Sequence, residues 1–198
     1  MFLPFVEGKD LLDVGCGYGY DGFLFSKKAR CVTSIDADLK AIKRASSRLS
    51  HIGNLHFEFR NSLDFIGNDK KFDVVVLFES LEHFDFKEQK ILVEKLFNLV
   101  AEGWRLFLST PNGRFLPFFR KNPYHKNELG FKELTVLLSK HFKVESAKGQ
   151  IHIAWFLIPL PWSFIERFWL FAGIFERMSM LRNSVWSSRT ILVRAVRK

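Results

Sequence analysis

Apolar positions along the chain fall into two kinds of run. Residues 11–14, 31–35, 72–78 and 104–109 are short stretches dominated by Leu, Val, Ile and Phe, with few polar interruptions. Runs of that length and composition predict strands covered on both faces, as in a parallel sheet. Residues 54–59 alternate instead, with Leu55, Phe57 and Phe59 on one side, and predict a third strand. Between the strands the period lengthens. Residues 38–50 place Leu39, Ile42, Ala45 and Leu49 on one helical face and Lys40, Lys43, Arg44 and Arg48 elsewhere. Residues 88–100 repeat the pattern with Ile91, Leu92, Leu96 and Leu99, and Gly103 stops it. Helical stretches at 23–29 and 131–140, and strands at 142–146 and 190–196, complete the series. Strand–helix alternation at this spacing predicts an α/β fold: a doubly wound, seven-stranded, mostly parallel sheet with right-handed crossovers, in one domain spanning 1–198.

The first strand runs straight into Gly15-Cys16-Gly17-Tyr18-Gly19 before the chain turns helical. A strand that stops on alternating glycines is expected to bring bare backbone N–H groups to a ligand. Glycine suits such a turn because a Cβ would block close approach and because φ is free to become positive. The second strand ends on Asp36, seventeen residues after Gly19. An acid at that point of a βαβ unit is placed to bind two vicinal ribose hydroxyls.

Together, Leu11-Leu12-Asp13-Val14-Gly15-Cys16-Gly17-Tyr18-Gly19 and Ser34-Ile35-Asp36-Ala37-Asp38 closely resemble the class I S-adenosylmethionine-dependent methyltransferases, whose fold is Rossmann-like. The resemblance runs to about residue 141 and returns in the last strand. It implies S-adenosylmethionine as cofactor, with Asp13, Gly15, Gly17 and Gly19 along the methionine end, Asp36 and Ala37 at the ribose, and Phe78 beside the cofactor. Where the family often has an acid after the third strand, this chain has Asn61-Ser62, which either meets the adenine or caps the turn at 63–66. Two departures stand out. The N-terminal helices that usually help cover the cofactor are expected to be absent, and an insertion at about 150–189 separates the last two strands.

The fourth strand leads into Glu79-Ser80-Leu81-Glu82-His83. If this segment is helical, Glu79, Glu82 and His83 share one face, at the carboxyl end of the sheet where open α/β folds bind ligands. Two carboxylates and an imidazole either hold a divalent ion such as Mg or Mn or position an acceptor hydroxyl. A similar segment ligates a metal in small-RNA 3′-terminal 2′-O-methyltransferases and in ubiquinone-pathway O-methyltransferases, and is a structural turn in other subfamilies. Thr110-Pro111-Asn112, followed by Tyr124-His125-Lys126, also resembles the ubiquinone-pathway and related small-molecule group. His125 is thus a fourth metal ligand beside Glu79, Glu82 and His83, a general base, or a loop residue capping the next helix. The expected catalytic residues are His83, His125 and Glu79.

Charge and composition change the picture at two points. A net charge of +9 and a pI near 9.7 suggest an acidic partner (RNA, an anionic membrane face or a phosphorylated substrate), although many basic proteins have none. The insertion is rich in aromatics, including Trp155, Trp162, Phe164, Phe168, Trp169 and Phe171, and from residue 151 onward the chain carries seven cations against two acids. Pro159, Pro161, Glu166 and Arg167 break it too often for a bilayer span. An aromatic, basic, helical cap of this kind reads as an interfacial membrane helix, a lid over an apolar acceptor, or a homodimer contact. Cys16 and Cys31 suggest no disulfide framework, which fits a reducing compartment. With no signal-peptide pattern at the start, the expected location is cytoplasmic, with peripheral membrane association through the insertion.

The function expected from these residues is O-methylation of a hydrophobic or lipid-linked small molecule, more than N-methylation. An RNA 2′-O-methyltransferase and a non-catalytic cofactor-binding interaction protein are the alternatives, nucleic acid being the less favoured partner.

Overall fold

A computed structural model of the chain describes residues 3–64, 71–114, 122–150 and 190–198. Seven strands form one sheet: β1 (Asp10–Val14), β2 (Cys31–Asp36), β3 (Leu55–Phe59), β4 (Phe72–Phe78), β5 (Val100–Pro111), β6 (Phe142–Gln150) and β7 (Thr190–Arg197). Their order across the sheet is β3-β2-β1-β4-β5-β7-β6, and only β7 runs antiparallel to its neighbours. The order reverses at β1 and β4, the crevice where such sheets bind ligands. The register sets Val14 beside Ile35 and Leu77, and Phe78 beside Ser109. The loops after β1, β2, β4 and β5 therefore open onto one edge.

Helices α1 (Leu3–Val6), α2 (Tyr20–Ser26), α3 (Leu39–Leu49), α4 (Phe86–Leu99) and α5 (Phe131–Ser139) accompany the sheet. Two separate apolar clusters show how it is covered. Leu92, Val93, Leu96 and Leu99 of α4 join Leu134 and Leu138 of α5 in one, against Leu12, Val75 and Leu106. Phe25 of α2 and Leu49 of α3 join Val6, Val74 and Phe107 in the other. Alternate residues of the central strands feed opposite clusters, as the pleat requires. Leu96 is 1% exposed, and truncating it to Ala would cost roughly 2–5 kcal/mol. Asp85 begins α4 with a capping box: its carboxylate accepts from the N–H of Lys87 and Glu88, while Glu88 accepts from the N–H of Asp85.

Several boundaries differ from the sequence reading. Helix α2 starts at Tyr20, three residues early, because Gly22 tolerates a helical position pressed against the sheet: a Cβ there would lie 2.6 Å from Ser34 Oγ. Strand β5 starts at Val100 rather than 104, since the pairing with β4 skips from Val100 to Arg105 across an irregularity that holds Gly103 at φ 73°. Strand β6 extends to Gln150, paired with β7 except at an irregularity at Glu145. A short helix, α1, precedes β1; Val6 is fully buried in the second cluster, and the Phe5 ring lies tilted against Phe107. The bulk of the insertion, 151–189, lies outside the described residues. Its flanks, Gln150 and Thr190, pair at the Pro111 end of the sheet. Among the described residues no helix is long and apolar enough to cross a membrane, and both cysteines are free thiols.

Candidate active site

Gly15, Gly17 and Gly19 all adopt positive φ, at 74°, 50° and 77°. Their N–H groups, however, are not bare. Gly15 and Cys16 donate to the carbonyl of Ile35, Gly17 donates to Asp36 Oδ2 at 2.7 Å, and Gly19 donates to the carbonyl of Cys16. The loop thus folds back onto the end of β2, and the glycines serve shape rather than donor supply. A Cβ on Gly15 would meet Ser80 Oγ at 2.3 Å, and one on Gly19 would meet the Phe57 ring at 2.7 Å. At Gly17 the Cβ position is open, with nothing within 4 Å.

Two acids flank this cradle. Asp36 accepts from Gly17 N–H through Oδ2 and from Asp38 N–H through Oδ1, so its carboxylate ties the glycine loop to the start of α3. Each oxygen retains a second lone-pair direction for a hydroxyl donor. Asp13, 2% exposed, accepts from Ser34 Oγ at 3.3 Å. Burial, reinforced by the charge of Asp21, pushes its carboxyl up to about 7. Burial likewise raises Asp21 and drives the Cys16 thiol upward. An open glycine turn between an acid with free lone pairs and a buried acid can take a ligand with hydroxyls and a cationic end.

The other expected cofactor residues are arranged variously. Ala37 is exposed at the end of β2. Asn61 is exposed; its Oδ1 accepts from Leu63 N–H and its carbonyl from Asp64 N–H, the turn-capping alternative, with Ser62 half-buried beside it. The Phe78 ring is tilted against Phe25 at 6.4 Å and packs on the second cluster.

The acid–histidine segment departs from the single helical face expected of it. Glu79 sits at φ 44°, the one positive φ outside glycine among the described residues. The chain then makes a one-turn 3-10 helix, Leu81–His83. The left-handed residue swings Glu79 away, and its Oε1 accepts from Ser109 Oγ at 2.7 Å. Glu82, His83 and His125 instead come together, with one ligand atom from each within 4.8 Å of the others; Glu79 does not join them. The two imidazole rings meet edge-on at 5.2 Å.

Each member is held from behind. Glu82 is 1% exposed and accepts from Thr110 Oγ1 at 3.0 Å; burial raises its carboxyl, the nearby Glu79 charge adds to the rise, and its hydrogen bonds oppose it. His83 Nδ1 lies 3.0 Å from the carbonyl of Tyr124, and His125 Nδ1 pairs with Glu128 while its Nε2 faces the Asn122 amide. Those partners assign Nδ1–H to both rings and leave Nε2 as the acceptor. The 122–128 segment is fixed by the N–H groups of Lys126 and Asn127, which donate to the carbonyl of Glu82, and by an amide pair between Gln89 and Asn127. Glu128, Gln89 and Asn127 were not singled out from the sequence, and Thr110 entered only as part of the Thr-Pro-Asn motif, with no role. Gln89 carried a signal: it occupies the i−3 and i−4 place before Leu92 and Val93 on the apolar stripe of α4, and is fully buried. A cleft of about 860 Å³ lies apart from the glycine loop, between α4 and α5, and is lined on the side of this site by Asn127 and Glu128.

Residues 1–154 match the model of a methyltransferase domain. The chain belongs to this methyltransferase domain family. S-adenosylmethionine is the cofactor of that family. Among relatives, a probable S-adenosylmethionine-dependent methyltransferase of Mycolicibacterium smegmatis is 34% identical over 152 residues, covering 73% of this chain and 56% of that protein. A mitochondrial ubiquinone biosynthesis O-methyltransferase of Candida albicans is 34% identical over 117 residues, covering 55% of this chain and 34% of that one. The chain spans about half the length of the mycobacterial relatives it matches. The crystal structure of an S-adenosylmethionine-dependent methyltransferase from Archaeoglobus fulgidus shares the fold of this methyltransferase domain, with a TM-score of 0.70 and 18% identity over 100% of this chain and 90% of that one.

Proposed function

We propose that this methyltransferase domain transfers a methyl group from S-adenosylmethionine to a hydroxyl oxygen of a hydrophobic or lipid-linked small molecule. The observation that carries the reading is the convergence of Glu82, His83 and His125 on the edge of the sheet that also carries the glycine loop. The cofactor supplies a methyl already activated on a sulfonium, so the chain's work is alignment and removal of the acceptor proton. His125 is suited to that removal once the acceptor hydroxyl displaces the Asn122 amide from Nε2: Nε2 then takes the hydroxyl proton, and the Glu128 carboxylate on Nδ1 stabilises the resulting imidazolium. Similarity to ubiquinone biosynthesis O-methyltransferases, proteins named for oxygen methylation, supports oxygen over nitrogen. The aromatic content of 151–189 supports an apolar acceptor, because the strand ends flanking that stretch lie at the same edge.

A second reading concerns a divalent ion at Glu82, His83 and His125. Its support is the way the two imidazoles are held, each Nδ1 on an oxygen acceptor, the arrangement that orients metal-ligating histidines. Such an ion would polarise the acceptor hydroxyl and lower the cost of losing its proton. Nitrogen ligands favour Mn²⁺ over Mg²⁺.

The test is methyl transfer from labelled S-adenosylmethionine, assayed in parallel against a lipid extract and against small RNA. Label in an apolar product, lost in His125→Ala, is the expected outcome. Label in RNA would move the assignment to a 2′-O-methyltransferase. No transfer to either pool, with the cofactor still bound, would favour an interaction protein.

A further inference from the structure

The outer face of α2 and α3 is not used by the chemistry above, and it is built of two matched stripes. Along α2, opposite the buried Phe25, Tyr20 and Leu24 are turned outward, 62% and 50% exposed, with Tyr18 of the glycine loop beside them at 48%. Along α3, Lys40, Lys43, Arg44 and Arg48 are all exposed, and the helix contains no acid. Asp38, its N-cap, is occupied with the N–H groups of Lys40 and Ala41. Among the described residues none of the four cations forms an ion pair.

The two stripes are joined into one surface. The Arg48 guanidinium stacks on Tyr20 at 4.5 Å and donates to Tyr20 Oη and to the carbonyl of Tyr18. Arg44 lies over the Tyr18 ring at 5.5 Å. Ordinary solvated faces mix both signs of charge. Here four like charges accumulate on one helix of 11 residues, next to apolar side chains that water does not reward.

We propose that this α2–α3 face docks on the surface of an anionic phospholipid membrane. Cations meet the headgroup phosphates, while Tyr20 and Leu24 enter the boundary between headgroups and acyl chains, the division of labour of interfacial helices. Lipid suits the face better than RNA. An arginine already lies over one face of each tyrosine ring, which limits base stacking to the other, and an exposed Leu24 has no role on a nucleic acid. The inference stands without the acceptor assignment, since it concerns attachment and not catalysis.

The test uses the full chain and vesicles of phosphatidylcholine, alone or mixed with phosphatidylglycerol. Sedimentation with the mixed vesicles only, weakening as salt rises, is expected. Partition should fall roughly fivefold for each cation removed, and more than about a hundredfold for Lys40→Glu/Lys43→Glu/Arg44→Glu. Folding of that variant is checked by its thermal midpoint and cofactor affinity; if it does not fold, the graded losses are read from Lys40→Gln and Lys43→Gln. Undiminished binding by the folded charge variants would place attachment elsewhere on the chain and overturn the proposal. Absence of vesicle binding by the unaltered chain would do the same. So would tighter binding to single-stranded RNA than to the mixed vesicles, lost in the same variants.

Discussion

Thr110 donates its hydroxyl proton to Glu82 Oε2 at 3.0 Å, across a contact from which water is excluded on both sides. The pair ties the end of β5 to the 3-10 turn after β4. A buried carboxylate loses free energy quickly when a donor is taken away, because nothing replaces it. Thr110→Val keeps the shape and removes the donor. It should lower unfolding free energy by roughly 1–3 kcal/mol in a denaturant titration. An unchanged midpoint would mean that Glu82 is satisfied by other groups.

Asp36 accepts from Gly17 N–H and Asp38 N–H, and each of its oxygens keeps a lone pair for a ribose hydroxyl. Asp36→Ala should weaken S-adenosylmethionine binding by roughly 1–3 kcal/mol in calorimetry, about five- to 150-fold. Equal affinities for the two proteins would remove Asp36 from the cofactor site.

Asp13 gives a pH dependence whose sign follows from burial. Its folded value near 7 stands above its ordinary 3.8, so the folded state binds the proton more tightly. Its contribution to stability is then complete below the unfolded value and is lost as pH rises through about 7. Asp13→Asn should flatten the decline between these limits, a span on the order of a few kcal/mol. Thermal midpoints of both proteins across that range measure it; parallel curves would contradict the assignment.

Metal occupancy is expected to depend on His83 and His125 and not on Glu79. Chelator-stripped protein titrated with Mn²⁺ should bind one ion, with loss in His83→Ala and in His125→Ala and retention in Glu79→Gln. If Glu79→Gln abolished binding as well, the acid would have to swing back from Ser109.

Much of the sheet was legible because its central strands are continuous apolar runs, such as Val74-Val75-Val76-Leu77, each fully buried or nearly so. The glycine loop and Asp36 were legible as a pair for the same reason, since strand ends fix their separation. What escaped was set by single backbone torsions and by contacts distant in sequence. Nothing in Glu79-Ser80-Leu81-Glu82-His83 announces a left-handed Glu79, so the shared helical face of Glu79 with Glu82 was misjudged. His125 reaches His83 because its segment is tied to Glu82, His83 and Gln89, the last 38 residues from Asn127, pairings that periodicity does not encode.

The closeness of Gly15 to Ser80 has a thermodynamic corollary. With no room for even a methyl between the donor loop and the turn that leads to Glu82 and His83, neither can shift without displacing the other. Occupancy of one half of the crevice should therefore change affinity in the other, and by the same factor in both directions. Each ligand is expected to change the other's affinity to the same extent, whichever is added first.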